Sequence, residues 1–164
     1  MTVGPMTELR TGDEAPPFSL PDQRGKLVDM ADYLGRRLLL YFYPKAETSG
    51  CTVQAQAVRD AQEDLRTLGV DVVAISPDPP ERLRRFDEHH GLGFPLLSDP
   101  DHAVADAYGA WGEKSLYGHR FFGVIRSSFL VAPDGRVERA WYRISPGQTV
   151  PKAMRALEEV GAGR

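Results

Sequence analysis

The chain has 164 residues, 41% hydrophobic and 26% charged, a balance that suits one compact domain, residues 1–164, with a buried core. A formal net charge of −3 offers no basic field for phosphate backbones, which argues against nucleic-acid binding. No apolar run approaches the roughly 20 residues that cross a bilayer, Met1–Arg10 lacks the regions of a signal peptide, and one cysteine cannot close an internal disulfide; a cytoplasmic location is the expectation.

In chain order, residues 1–12 are polar and carry Gly and Pro, and are expected to lie loosely on the surface. Ala15–Leu20 reads as a short edge strand, because its prolines exclude it from a sheet centre. Leu38–Tyr43 is continuously apolar, as a strand covered on both faces should be. Thr52–Leu68 repeats apolar residues at helical spacing (Val58, Ala61, Leu65, Leu68) and stops at Gly69. Val70–Ser76 is a second interior strand, completing a β-α-β unit with a right-handed crossover. Glu81–His90 predicts a polar surface helix, Phe94–Leu97 a short strand, and Asp101–Tyr108 a brief helix. Arg126–Val131 and Val137–Tyr142 form a predicted hairpin turned by Pro133-Asp134-Gly135-Arg136. Thr149–Val160 closes the chain as a helix, with Thr149 as its N-cap and Pro151 in its first turn. This order predicts a thioredoxin-like α/β fold, a central mixed sheet with helices on both faces.

The lone cysteine, Cys51, falls where the first long strand passes through a short loop into the helix. A sulfur there lies beside unpaired helix-terminal N–H groups and the positive end of the dipole, which favour thiolate over thiol. Simple core packing is the competing reading, since free cysteines are often buried. Three further residues suit a thiolate that attacks an –O–O–H group. Pro44 has a rigid ring and no N–H, so it can wall the sulfur from water without competing for hydrogen bonds. Thr48 precedes Cys51 by three residues, and its hydroxyl both donates and accepts. Arg126 supplies a permanently charged, planar fork to hold negative charge. Singly, each has an ordinary alternative: a strand end, a loop or capping residue, a surface charge. Together with a cysteine at a helix start they read as a site.

Other candidates read as structural. His89, His90, His102 and His119 show no metal-ligand spacing and are expected to be solvated. Asp99-Pro100-Asp101 reads as a loop with a helix cap. Arg82, Arg84 and Arg85 mix with Glu81, Asp87 and Glu88 as a solvated face. Gly91-Leu92-Gly93 lacks the third glycine of a nucleotide loop. Trp111 and Tyr117 fit core anchors or a wall around the sulfur, and Phe121 and Phe122 fit a substrate mouth or a subunit contact.

The segment Tyr41-Phe42-Tyr43-Pro44-Lys45, followed by Thr48-Ser49-Gly50-Cys51-Thr52-Val53-Gln54-Ala55, resembles the active-site segment of peroxiredoxins, in particular the bacterioferritin comigratory protein or peroxiredoxin Q branch. The family signature Pro-x-x-x-Thr-x-x-Cys is met by Pro44, Thr48 and Cys51. Phe94–Asp99, Trp111–Ser115 and Gly123–Phe129 are similar to the same branch, the last supplying its active-site arginine as Arg126; the similarity runs from about Gly12 to Leu157. Many members carry a second cysteine five residues after the first, where this chain has Gln56, so an internal disulfide cycle is chemically impossible here.

The resemblance implies a thiol peroxidase that reduces hydrogen peroxide or organic hydroperoxides through a sulfenic acid on Cys51, without cofactor or metal. The reductant would be external: thioredoxin, a glutaredoxin-type protein or a low-molecular-weight thiol. A monomer or dimer is expected. The same oxidation would also serve a peroxide-responsive redox sensor, and a thioredoxin-fold binding module with a relic cysteine is a third reading.

Overall fold

The structure, a computed structural model, describes residues 8–161. Its centre is a five-stranded sheet of β3 (Arg37–Phe42), β4 (Val70–Ser76), β5 (Leu96–Ser98), β8 (Ser127–Val131) and β9 (Val137–Tyr142). The strand order is β5-β4-β3-β8-β9, with β3, β4 and β5 parallel and β8 and β9 antiparallel additions. The mixed, thioredoxin-like sheet thus matches the fold expected from the sequence, and β3, the most apolar strand, lies at its middle.

Successive residues of β3 face opposite ways, so one strand feeds two cores. Leu39, Tyr41 and Tyr43 pack with α1 (Ser49–Thr67), α2 (Pro80–His90) and α4 (Thr149–Glu159) through Val58, Leu65, Phe86, Ala153 and Leu157. Leu38, Leu40 and Phe42 face Phe129, Tyr108 and Val131, under α3 (Ala103–Ala107) and the N-terminal segment. Gly69, at φ +79°, ends α1 in a backbone conformation that a side chain would strain, and turns the chain into β4.

Several expectations need correction. Ala15–Leu20 does not join the main sheet: β1 (Ser19–Pro21) pairs only with β2 (Leu27–Asp29), and Glu14 makes an isolated bridge to Arg136. Of the loosely held segment, residues 1–7 lie outside the described residues, but the rest is tied down. Leu9 N–H donates to the Tyr142 hydroxyl at 2.8 Å, Thr11 Oγ1 to the Glu138 carbonyl at 2.9 Å, and Gly12 N–H to the Val137 carbonyl at 2.8 Å. Thr149 is the first residue of α4 rather than its cap; Gln148 takes that place.

A second hairpin, β6 (Trp111–Leu116) and β7 (His119–Val124), was not legible in the sequence. Its two-residue turn, Tyr117-Gly118, has φ of +50° and +81°, the left-handed pair such turns demand. Tyrosine is an unusual occupant of that position, and Tyr117 is 94% exposed, so it is no core anchor. Trp111 does anchor, stacked on the His102 ring at 3.7 Å.

Candidate active site

Pro44 follows the end of β3, half-buried, where the chain leaves the sheet for the loop to α1. Thr48 then takes the N-cap position with extended backbone. The first amide bonded within this helix is Thr52 N–H, to the Thr48 carbonyl at 2.9 Å. The amides of Ser49, Gly50 and Cys51 precede that ladder, so Cys51 sits among the orphan donors of the helix start. The residue is 2% exposed.

Arg126 occupies the short join between β7 and β8, and its carbonyl accepts from Ile144 N–H at 3.1 Å. Its Nη2 donates to the Cys51 sulfur at 3.3 Å, across 75 residues of sequence. Its Nη1 donates to Gln54 Oε1. Space here is tight: a Cβ on Gly50 would lie 3.3 Å from Pro146 Cγ and 3.4 Å from Arg126 Nη2, so a side chain there would press on the guanidinium.

The expected residues therefore converge unequally. Arg126 and Cys51 are in contact. The exposed Thr48 points its hydroxyl proton to the Lys45 carbonyl at 2.7 Å, leaving its oxygen as an acceptor rather than a donor to the sulfur.

Sequence reasoning missed Gln54, which is fully buried one helical turn beyond Cys51, on the same side of α1. Its spacing of three residues from Cys51, which puts both on one side of a helix, was the available signal. Lys114 was also missed. Its Nζ reaches the Val124 carbonyl at 2.8 Å, and burial, aided by the Arg126 charge and opposed by Cys51, lowers its pKa. Tyr41 and Tyr43 lie in the same core cluster as the sulfur, and their buried hydroxyls have no hydrogen-bond partner among the described residues. Burial above all pushes the Tyr41 phenol well above its ordinary range; Tyr43 and Cys51 add to this and Arg126 opposes it, so the ring stays neutral.

His89 and His119 are exposed as expected, while His90 and His102 are half-buried. His89 Nδ1 and His90 Nε2 both meet the Glu47 carboxylate in the loop before α1, at 3.0 and 3.6 Å, and His102 Nδ1 meets Asp106 at 2.7 Å. His102 holds the cap position of α3, but Asp99 does satisfy its first turn, accepting from Val104 N–H at 3.2 Å and Ala105 N–H at 2.9 Å. The basic cluster is paired on the surface, Arg85 with Glu81 at 2.8 Å. Among the described residues no group of three or more His, Cys, Asp or Glu is arranged to hold a metal, and no helix is long and apolar enough to cross a membrane.

Against known proteins, residues 11–140 match the AhpC/TSA family. A putative peroxiredoxin of Mycobacterium tuberculosis is 52% identical over 151 residues, covering 92% of this chain and 96% of the relative. Peroxiredoxin Bcp of Escherichia coli K12 is 52% identical over 136 residues, 83% of this chain and 87% of the relative. Among solved structures, peroxiredoxin Q of Xanthomonas campestris superposes with a TM-score of 0.81 at 30% identity, over 87% of this chain and 90% of that one.

Proposed function

Because the chain belongs to the AhpC/TSA family of peroxiredoxins and is a thiol peroxidase with a single cysteine, we propose that Cys51, Arg126, Thr48 and Pro44 carry its reaction. The observation that supports this most is the 3.3 Å contact between Arg126 Nη2 and the sulfur at the start of α1. The guanidinium and the helix-terminal amides set positive charge and donors beside the attacking sulfur.

The thiolate attacks the terminal oxygen of a hydroperoxide in line, forming an S–O bond as the O–O bond breaks. The leaving oxygen departs as alkoxide or hydroxide and takes a proton to become alcohol or water. Arg126 and the Cys51 amide lower the barrier by holding the charge that develops, a single well-aimed donor contributing about 3 kcal/mol. Thr48, with its proton committed to Lys45, accepts from the hydroperoxide O–H and orients it. Pro44 shields the sulfur from bulk water.

Cys51 sulfenic acid then condenses with an external thiol, releasing water and leaving a mixed disulfide that a second thiol reduces. Thioredoxin, a glutaredoxin-type protein or a low-molecular-weight thiol fits this step. With the residue only 2% exposed, Cys51 admits a small peroxide more readily than a protein thiol. We read residues 1–164 as one domain, cytoplasmic, working as a monomer or dimer on peroxides and thiols rather than on nucleic acid or membranes. A sensor role draws on the same oxidation, and the single cysteine favours it as much as catalysis; steady turnover with a plain thiol separates the two.

Mixing reduced protein with one equivalent of hydrogen peroxide and following intact mass tests the reading. Rapid gain of one oxygen at Cys51, reversed by thiol, is the expected result, and Cys51→Ser abolishes both that gain and turnover. A Cys51→Ser protein that kept most of its peroxidase activity would overturn it.

A further inference from the structure

The contact between Arg126 and the sulfur does not stand alone. Arg126 is a donor-only group, so Gln54 must turn its amide oxygen toward it. That leaves the Gln54 NH2 group in the protein interior, where it needs an acceptor. Thr149 provides it: Gln54 Nε2 donates to Thr149 Oγ1 at 2.9 Å, 95 residues away in sequence. Thr149 Oγ1 is in turn bonded to Ser128 Oγ at 2.9 Å, on the strand next to β3. Gln54 and Ser128 are fully buried and Thr149 is 1% exposed, so these groups satisfy one another. Helix α4 itself is fixed by Ala153, Ala156 and Leu157 in the core that also contains Cys51.

We propose that Thr149 is a positioning residue for the peroxidase reaction: by accepting from Gln54 it keeps the amide oxygen on Arg126, and thereby keeps Arg126 on the Cys51 sulfur. The proposal rests on the reading that Arg126 supports the thiolate. Without the Thr149 hydroxyl, the buried Gln54 N–H loses its partner. The amide must then rotate or shift to find another, and either movement removes the oxygen from Arg126. The guanidinium, held on one side only, spends less time on the sulfur, and the thiolate is less favoured. No contact between Thr149 and the sulfur or the peroxide is required.

The test is Thr149→Val, nearly the same shape without the hydroxyl, with Thr149→Ser and Arg126→Met measured beside it. Two quantities are read: the rate constant for oxidation of Cys51 by hydrogen peroxide, and the pH midpoint of thiolate formation followed by ultraviolet absorbance. Thr149→Val is expected to slow oxidation about tenfold and move the midpoint upward, and Thr149→Ser to restore both to within about twofold. In a Gln54→Leu background the same valine substitution should add little, because the group it serves is gone. An unchanged rate and midpoint in Thr149→Val overturns the proposal, as does a loss that Ser fails to rescue or that adds fully to Gln54→Leu. Should the valine protein not fold, Thr149→Ala against Thr149→Ser carries the comparison with the same readouts. Arg126→Met separates the two ideas. If it keeps the parent rate, the reading of Arg126 fails; if it slows oxidation while Thr149→Val does not, only the role of Thr149 fails.

Discussion

The two faces of the central sheet are built from alternate residues of the same strands, yet their polar groups are handled differently. On the face under α3, polar tips find nearby backbone: the Tyr108 hydroxyl donates to the Pro16 carbonyl at 2.7 Å, and Ser127 Oγ to the Ile125 carbonyl at 2.8 Å. The rest is aromatic packing, with Phe129 set edge-on to Phe42, Tyr108 and Tyr142 at centroid distances of 5.9, 5.1 and 5.3 Å. On the face under α1 and α4, polar side chains bond one another across the fold, from Arg126 through Gln54 and Thr149 to Ser128. This face also holds Tyr41, whose buried hydroxyl lacks a partner among the described residues. One face is built for cohesion. The other carries a connected set of buried polar groups, one end of which is a guanidinium in contact with the Cys51 sulfur.

Substitutions on each face should separate these roles. The largest effect is expected from Phe129→Ala on the cohesive face, which removes a fully buried ring and its edge contacts. Stability should fall by about 3–5 kcal/mol in urea titrations, while the peroxide rate per folded molecule stays near that of the parent. A rate loss that tracks the stability loss would erase the distinction between the faces. Tyr41→Phe, on the face under α1 and α4, should raise stability by about 1 kcal/mol, since it deletes a buried hydroxyl with no partner among the described residues and keeps the ring. Destabilisation of similar size would mean that this hydroxyl has a partner, such as a buried water.

The smallest effect concerns Lys114, beside Arg126. Burial lowers its pKa in the folded chain, so the unfolded chain holds that proton more tightly. The resulting penalty is fully present at neutral pH and is relieved as pH rises from the lowered folded value toward the ordinary lysine value of about 10.4. Measured against Lys114→Met, in which the tyrosine titrations cancel, the parent should gain relative stability as pH rises toward the ordinary lysine value. A flat difference would show that this charge is free in solution.

Much of the fold could be read locally. Val70–Ser76 is found with the bounds its apolar run predicts, and β3 differs from its expected range by one residue at each end. Both are short apolar runs between clear breakers, where burial on two faces leaves little choice. The β6–β7 hairpin escaped because its strands are largely exposed and show no clean alternation, and its turn uses tyrosine where asparagine or glycine would have announced it. Thr149 looked like a cap because threonine before an apolar helix usually is one. Its hydroxyl is instead drawn to Gln54 and Ser128, partners that only the docking of α4 on α1 and β8 provides.

By itself, then, the sequence determined the parts of the site that lie within one strand–loop–helix passage. Pro44, Thr48 and Cys51 fall at a strand end, a helix cap and a first helical turn because local dihedral preferences and apolar spacing put them there. The tertiary structure decided that Arg126 meets Cys51 and Gln54, and that Gln54 in turn meets Thr149. Those pairings span 72, 75 and 95 residues. They depend on sheet order and strand register, which no local preference encodes, and on the need of buried donors for acceptors once water has been excluded.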